Sequence, residues 1–526
     1  MNRGNARWVC GRPLTPTRPP RKLSPGYRGE GAATSSFSLP APLPLPLAGE
    51  GRGKGAREQP LRPWFAALLL AVAGCATKVG PDHTPPEPNP PAQFGPAIEQ
   101  LGPPTTHPGG WWQGFGDPAL DALVAQALAR NLDVAAAAAR VDEARALLRS
   151  VEAARSPSVA AQAGAGVDER VTGSSGNGNR DDEGGRASAS AIFGWTLDLF
   201  GGRARAVEAA AAELRRREAL QSDLARTTAV EVVRGYIALR LAVAELALLD
   251  DSLRLQDRTH EIVRVRREAG LASQLDLNRA AAEVAATRAR QGPLRLSRES
   301  ARHALAVLAG EWPRALVLPE AASPRVPRYA GGPAPGTPRE LLRRRPDLAA
   351  AEANLALASA EIGVAQARLY PSLSLPGTLT ATATGLGSGS VVTGIVASLS
   401  AVLDIPLFDG GGRRAQVDAA NARAQEALFV YRRTLLDALQ EAETALVAVG
   451  SARSAETEFA VAVDASARAF EQAQVLYREG LAGFLEVLDA QRTLIANREA
   501  LARARADLAR ALADIHGALG GAPVAT

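Results

Sequence analysis

The sequence predicts a mainly α protein with a small β part: long antiparallel coiled-coil helices interrupted by two strand hairpins. Three observations lead there. Matching signposts recur about 210 residues apart in a chain of 526 residues, so one element order is written twice. Each copy holds a proline-free stretch of about 67 residues, Gly202 to Gly270 and Gly412 to Gly480, with one interior glycine apiece, Gly235 and Gly450. Each copy also holds segments in which apolar and polar residues alternate, the period of a strand.

Composition narrows the function classes. Aromatics make up 4% of the chain and much of the 46% apolar content is Ala, which suits closely packed helices rather than a bulky core. The net charge of +5 is uneven: residues 1–74 hold 11 of the 60 basic and 3 of the 55 acidic residues, leaving the body at −3. A nucleic-acid partner therefore has no electrostatic support. Both cysteines, Cys10 and Cys75, precede the repeat, so the body has no disulfide framework or Cys-based metal site. His83, His107, His260, His303 and His516 are scattered, and no nucleophile or phosphate-binding motif occurs. No catalytic, cofactor or metal site is expected, and the chain is not read as an enzyme.

Residues 1–74 divide into a Pro- and Arg-rich low-complexity extension and a signal peptide. Trp64–Gly74 is an apolar run with Arg57 and Arg62 upstream, too short for a membrane-spanning helix, which needs about 20 residues. It ends in Val-Ala-Gly-Cys75, a pattern resembling a bacterial lipobox, so Cys75 is the expected lipidation site and first mature residue. Ala76 and Thr77 follow in place of Asp, which by the same resemblance favours the outer membrane. A leader of 74 residues exceeds the usual 15 to 30, so Met1 is expected to be a misassigned start, with translation beginning at a non-Met codon not far before Arg62.

Residues 75–110 form a Pro-rich, lipidated arm. The first repeat covers 111–318. Asp117-Pro118 opens a helix expected to run to about Arg155, where Pro157 stops it. The strand hairpin follows at about 158–200: Ala187, Ala189, Ala191, Phe193, Trp195, Leu197 and Leu199 share one face, opposite Ser188, Ser190, Thr196 and Asp198. The loop Gly173–Gly185 carries Asp181-Asp-Glu183, expected to be a solvated tip. A Pro-rich linker, 319–337, leads into the second repeat, 338–521, whose hairpin falls at about 372–408, and a tail, 522–526, closes the chain. There Leu373, Leu375, Leu379, Ala381 and Ala383 alternate with Ser and Thr.

Strands of about ten residues match the span of a tilted transmembrane strand. Four of them cannot close a barrel, and open edges are not tolerated in lipid. Either the hairpins form a soluble sheet or several chains close one barrel. Each long helix would reach about 100 Å. Leu428, Tyr431, Leu435, Ala438, Ala442, Ala445 and Val449 step by alternating 3 and 4, a left-handed coiled-coil seam, and Leu436, Leu439 and Leu446 widen it toward a second neighbour. Return helices should run to about Gly310 and Gly517. Trp111 and Trp112 are expected to pack where helices meet, and Arg343-Arg-Arg-Pro-Asp347 to be a helix start with solvated basic residues.

Taken in order, Val79-Gly-Pro-Asp, Trp111-Trp-Gln-Gly-Phe-Gly-Asp-Pro, Trp195-Thr-Leu-Asp-Leu-Phe-Gly, Leu341-Leu-Arg-Arg-Arg-Pro-Asp-Leu, Tyr370-Pro-Ser-Leu-Ser-Leu, Leu488-Asp-Ala-Gln-Arg and Ala518-Leu-Gly-Gly resemble the outer membrane factor family. These are the TolC-like efflux channels, and the likeness is strongest to lipidated members of the OprM/NodT type. The resemblance implies a homotrimer whose chains each contribute four strands to a 12-stranded β-barrel and a share of an α-barrel crossing the periplasm. It further implies an outer-membrane efflux duct that docks with a periplasmic adaptor and an inner-membrane RND-type pump. Its closed aperture would lie at the second helical tip, with Leu485 as an apolar ring, Asp489 and Arg492 as the polar constriction, and Tyr477 and Glu486 alongside. Ala482 stands where some family members carry Arg after the turn glycine. The first copy does not repeat that set, and Asp276 is its weaker candidate. The rival readings are a coiled-coil lipoprotein scaffold without a pore and an exit channel for type I protein secretion.

Overall fold

The computed structural model describes residues 78–87, 89–95, 110–170, 182–318, 324–332, 336–385 and 391–521. All lie in the compact unit Trp64–Thr526. Residues 1–74, Cys75, Asp181, the linker segments 319–323 and 333–335, and the tail 522–526 fall outside the described residues.

A 3-10 turn, Trp111–Phe115, precedes α1 (Pro118–Arg130) and α2 (Leu132–Ala153). The expected single helix is thus two. Asn131 takes extended angles, and its side chain accepts from the Asp133 and Val134 amides while donating to Leu308 O at 3.0 Å. An Asn that can cap satisfies amides a continuing helix would leave to its own turn, so the chain breaks there. Asp117 opens α1 as expected, accepting from the Ala119 amide at 3.0 Å and from the Tyr236 hydroxyl at 2.7 Å. Burial and that neighbouring carboxylate both push the Tyr236 pKa up.

β1 (Ser158–Arg170) and β2 (Asp182–Leu197) form the first hairpin and α3 (Gly202–Glu268) the first long helix. The return is α4 (Gln274–Ala289) and α5 (Gln291–Leu308). This return helix was expected unbroken; Pro293 lacks an amide to donate to Ala289, so a new first turn starts at Gln291, where a missing amide is tolerated. In the second copy, α6 (Pro338–Arg344) and α7 (Pro346–Ala367) lead to β3 (Ser372–Gly385), β4 (Val391–Leu399) and the short β5 (Val402–Asp404). The long α8 (Gly412–Arg478) and an unbroken α9 (Phe484–Ala518) complete it. α3 and α8 each hold 67 residues, about 100 Å of helix.

All strand pairs are antiparallel, in the order β1-β2-β3-β4, with β5 also on β3. The gap between β4 and β5 lies opposite Pro376, which cannot donate to the ladder; its carbonyl still accepts from the Ser400 amide at 3.0 Å. Asp198 caps α3 through the Arg203 and Ala204 amides, and Asp409 caps α8 through the Gly411 and Arg413 amides.

Helices α2, α3, α7 and α8 pack side by side in that order, and α9 packs on α8 and α3. Trp111 and Trp112 are buried where α1, α3, α5 and α9 meet, Trp111 stacking on His516 at 5.0 Å. The coiled-coil seam of α8 is realised: Tyr431, Ala438, Ala442, Ala445 and Val449 are buried; of the widening residues Leu446 is buried and Leu439 half-buried, whereas Leu436 stays 66% exposed. Gly235 permits close approach of α3 and α5, since a β-carbon there would stand 2.9 Å from Leu305.

Arg345 corrects one expectation. It is a buried anchor, chelating Asp347 at 3.0 and 2.8 Å, donating to Ala518 O at 2.8 Å and pairing with Glu441 at 2.8 Å, so it ties the start of α7 to the middle of α8 and the end of α9. The arm is docked as well. Arg205, its side chain 3% exposed, donates to Val79 O at 3.0 Å and Gly80 O at 2.7 Å and pairs with Asp82 and Glu208. Gly80 holds a φ of +91° with its α-carbon face against Gly363, where a β-carbon would come within 2.4 Å.

Candidate functional site

Two regions carry functional geometry, the sheet and the distal turns. The register sorts the sheet into two faces, because residues directly opposite in neighbouring strands point the same way. One face stacks Gln162, Ser190 and Thr380, then Gly164, Ser188 and Thr382, with Thr196 beside Ser374. The other stacks Ala161, Ala191, Leu379 and Ala397, then Val159, Phe193, Gly377 and Leu399, then Leu197, Leu373 and Leu403. Ile192, Val392 and Val396, opposite Thr378, Thr384 and Thr380, are exceptions on the polar face. A soluble sheet would bury its apolar face against helices. Here Val159, Ile395 and Leu399 are 74–78% exposed, and every residue of β4 is exposed. The edges β1 and β4 are both unpaired among the described residues. Aromatics gather where strands give way to helices: Phe200 stacks on Tyr370 at 4.7 Å, and Trp195 Nε1 donates to Arg155 O at 3.0 Å.

The two distal turns share a backbone. In the first, the Gly270 amide donates to Arg267 O at 2.9 Å and Leu271 to Arg266 O at 2.7 Å; in the second, Gly480 donates to Tyr477 O at 3.1 Å and Leu481 to Leu476 O at 2.8 Å. Both glycines sit at positive φ, +77° and +75°, the left-handed stop of a helix C-terminus. Their exits differ. Ser273 and Asp276 make a reciprocal capping box on α4, whereas Gly483 offers α9 no side-chain cap.

On α9, Phe484, Val487, Leu488 and Gln491 point inward, and Leu485, Glu486, Asp489 and Arg492 point outward. Leu485 is 56% exposed. Asp489 forms no hydrogen bond or ion pair within 4 Å among the described residues; its electrostatic neighbour is Arg492. Arg492 is already engaged, donating to Glu283 of α4 at 2.9 and 2.5 Å, and that bond raises its pKa. Tyr477 lies inside the chain, 8% exposed, with its ring 5.9 Å from Phe484 and the Arg266 guanidinium 4.6 Å above it. Burial pushes its hydroxyl pKa up. Asp276 is spent on the capping box. The first copy does repeat one member of the set: Leu275, 210 residues before Leu485, is also 56% exposed, while Arg279 stands where the second copy has Asp489.

Sequence reasoning missed three residues that organise this end. Arg266 donates to Tyr477 O at 2.9 Å and Arg478 O at 3.1 Å, closing the end of α8 from the first hairpin. Glu283 holds Arg492. Gln491, 1% exposed, donates to the Thr259 hydroxyl at 3.4 Å across the hairpins. A signal existed for Arg266: it occupies the repeat position of Leu476, and such a charge-for-apolar exchange marks a contact made by one copy alone.

Comparison with known proteins agrees with this fold. The description "Outer membrane efflux protein" matches residues 123–311 and 337–521. The chain belongs to the outer membrane efflux protein family. Nodulation protein T of Rhizobium leguminosarum bv. trifolii is 30% identical over 84% of this chain and 92% of its own length. Cation efflux system protein CusC of Escherichia coli K12 is 28% identical over 86% of this chain and 97% of its own. Among solved structures, the outer-membrane channel OprN superposes with a TM-score of 0.76 at 34% identity, covering 84% of this chain and 99% of that one. The efflux relatives of this family member are channels of the outer membrane.

Proposed function

We propose that the chain is the outer-membrane exit duct of a tripartite efflux system. Three copies close a 12-stranded barrel, with the apolar face of each sheet toward lipid and the Ser/Thr face toward a water-filled lumen. The observation that carries this is the sheet itself: two-faced, apolar outside, and open at both edges. Four strands cannot close alone, and lipid does not tolerate unpaired edges, so neighbouring copies supply the missing partners. The helical rows then form the periplasmic tunnel, about 100 Å deep. A lipid on Cys75 tethers the arm whose next residues the Arg205 clasp receives.

The aperture lies at the second tips, where Leu485 and Asp489 are presented on the outward face and Glu486 borders them. Arg492 joins this constriction through its bridge, and Tyr477 supports it from behind. Docking of an adaptor and an RND-type pump opens the tips, and small solutes, drugs among them, leave through the lumen. The duct itself performs no chemistry. Purified protein in planar bilayers tests the reading: discrete conductance that rises in Asp489→Ala is expected, and silence in both wild type and variant would overturn it in favour of a poreless scaffold.

A further inference from the structure

α4 and α9 rise side by side from the two tips, but α9 packs mainly on α8 and α3 and only lightly on α4. Ala280 and Leu277 of α4 share an apolar cluster with Phe484, Val487 and Leu488 of α9, and the directional contacts between the two helices are ionic. Arg492 on α9 donates to Glu283 on α4; seven residues on, the polarity reverses and Arg290 at the end of α4 donates to Glu499 on α9 at 2.6 Å. Both carboxylates are sheltered, at 18% and 14% exposure, while their guanidinium partners are 57% and 44% exposed. Arg503 extends the series, 2.8 Å from Glu245 of α3 and 3.8 Å from Glu499.

The spacing carries the argument. Each pair joins residues 209 apart, and the turn glycines Gly270 and Gly480 are 210 apart, so the hairpins stand level to within one residue, about 1.5 Å. The buried positions of α4 here are Ala280, Val284 and Thr287, small residues that discriminate poorly between registers. The charge order does discriminate. A slip of one heptad, about 10 Å, would set Arg290 against Arg492 in one direction and Glu283 against Glu499 in the other. Both slips replace attraction with repulsion, a device for rejecting the wrong pairing.

We propose that Glu283, Arg290, Arg492 and Glu499 form a register lock that holds the second hairpin level with the first. They act as specificity-determining residues for hairpin pairing, through their contacts with one another. The effect on gating rests on the duct reading above; the register does not. The test is a charge-swap cycle on the full-length purified protein, read by thermal unfolding and by bilayer current. Glu283→Arg and Arg492→Glu should each lower the unfolding midpoint by about 3 °C and raise open probability about tenfold, and the double swap should recover most of both. Arg290→Glu with Glu499→Arg should behave likewise. Where a reversal prevents assembly, the cycle is run with Glu283→Gln and Arg492→Gln, whose losses should overlap rather than add. Independent, additive losses with no rescue overturn the lock. Wild-type protein that conducts nothing sinks the duct while leaving the thermal cycle to decide the lock.

Discussion

The two distal turns begin from the same backbone and end in different states. Gly270 and Gly480 stop their helices with the same pair of hydrogen bonds, and Leu275 and Leu485 are equally exposed beyond them. After the first turn, Ser273 and Asp276 close the helix start locally. After the second, Gly483 closes nothing, and order is imported: Arg266 reaches over from the first hairpin and Phe484 plugs the cluster around Val263, Phe470 and Leu488. One tip is self-sufficient and the other is held by its neighbour. A gate needs an element whose resting position depends on contacts that can be exchanged, and the second tip has that character.

Substitutions at matched positions can break this contrast. The largest effect is expected from Phe484→Ala, which empties a fully enclosed site and should cost about 3–5 kcal/mol, while Gln274→Ala at the matching exposed position changes almost nothing; thermal unfolding compares them. Next, Arg266→Ala removes two charge-assisted bonds and a cation–π contact, a loss of about 1.5–3 kcal/mol. Hydrogen exchange should then speed up at residues 474–486 and stay unchanged at 264–276. Smaller still, Ser273→Ala should cost about 1 kcal/mol and loosen the first tip, with exchange at 270–276 as the measure. Gly483→Ser runs the contrast backward: φ there is −78°, compatible with a side chain, and only the flexible Glu486 carboxylate is in the way. A gain of about 0.5–1 kcal/mol and fewer openings in bilayers are expected. Least of all in stability, Asp489→Ala should stay within about 0.5 kcal/mol of wild type, since among the described residues it makes no hydrogen bond and only an electrostatic contact with Arg492, yet alter conductance.

Much of this architecture was legible because it follows from periodicity. The absence of proline set the limits of α3 and α8, and Ser/Thr alternation set the faces of β2 and β3. The breaks at Asn131 and Arg290 escaped notice because each depends on a competing local interaction, a side-chain cap in one case and a missing amide in the other. Arg345 looked solvated because a run of three arginines gives no hint that one of them lies over carbonyl and carboxylate groups more than 90 residues away. The tip was half visible. The family resemblance singled out Leu485, Asp489 and Arg492, and helical spacing puts them on one outward face, but the partner of Arg492 lies on the other copy, and periodicity does not register pairs across hairpins.

The arm clasp at Arg205 has a consequence of its own. Duplication gives each chain two nearly interchangeable staves, and a ring built from them could in principle mistake one for the other. Arg205 has no counterpart in the second copy, where Ala415 occupies the matching position, so only the first stave can receive Val79–Asp82. The strap is therefore an orientation mark, labelling one stave of each chain and keeping two similar halves distinguishable.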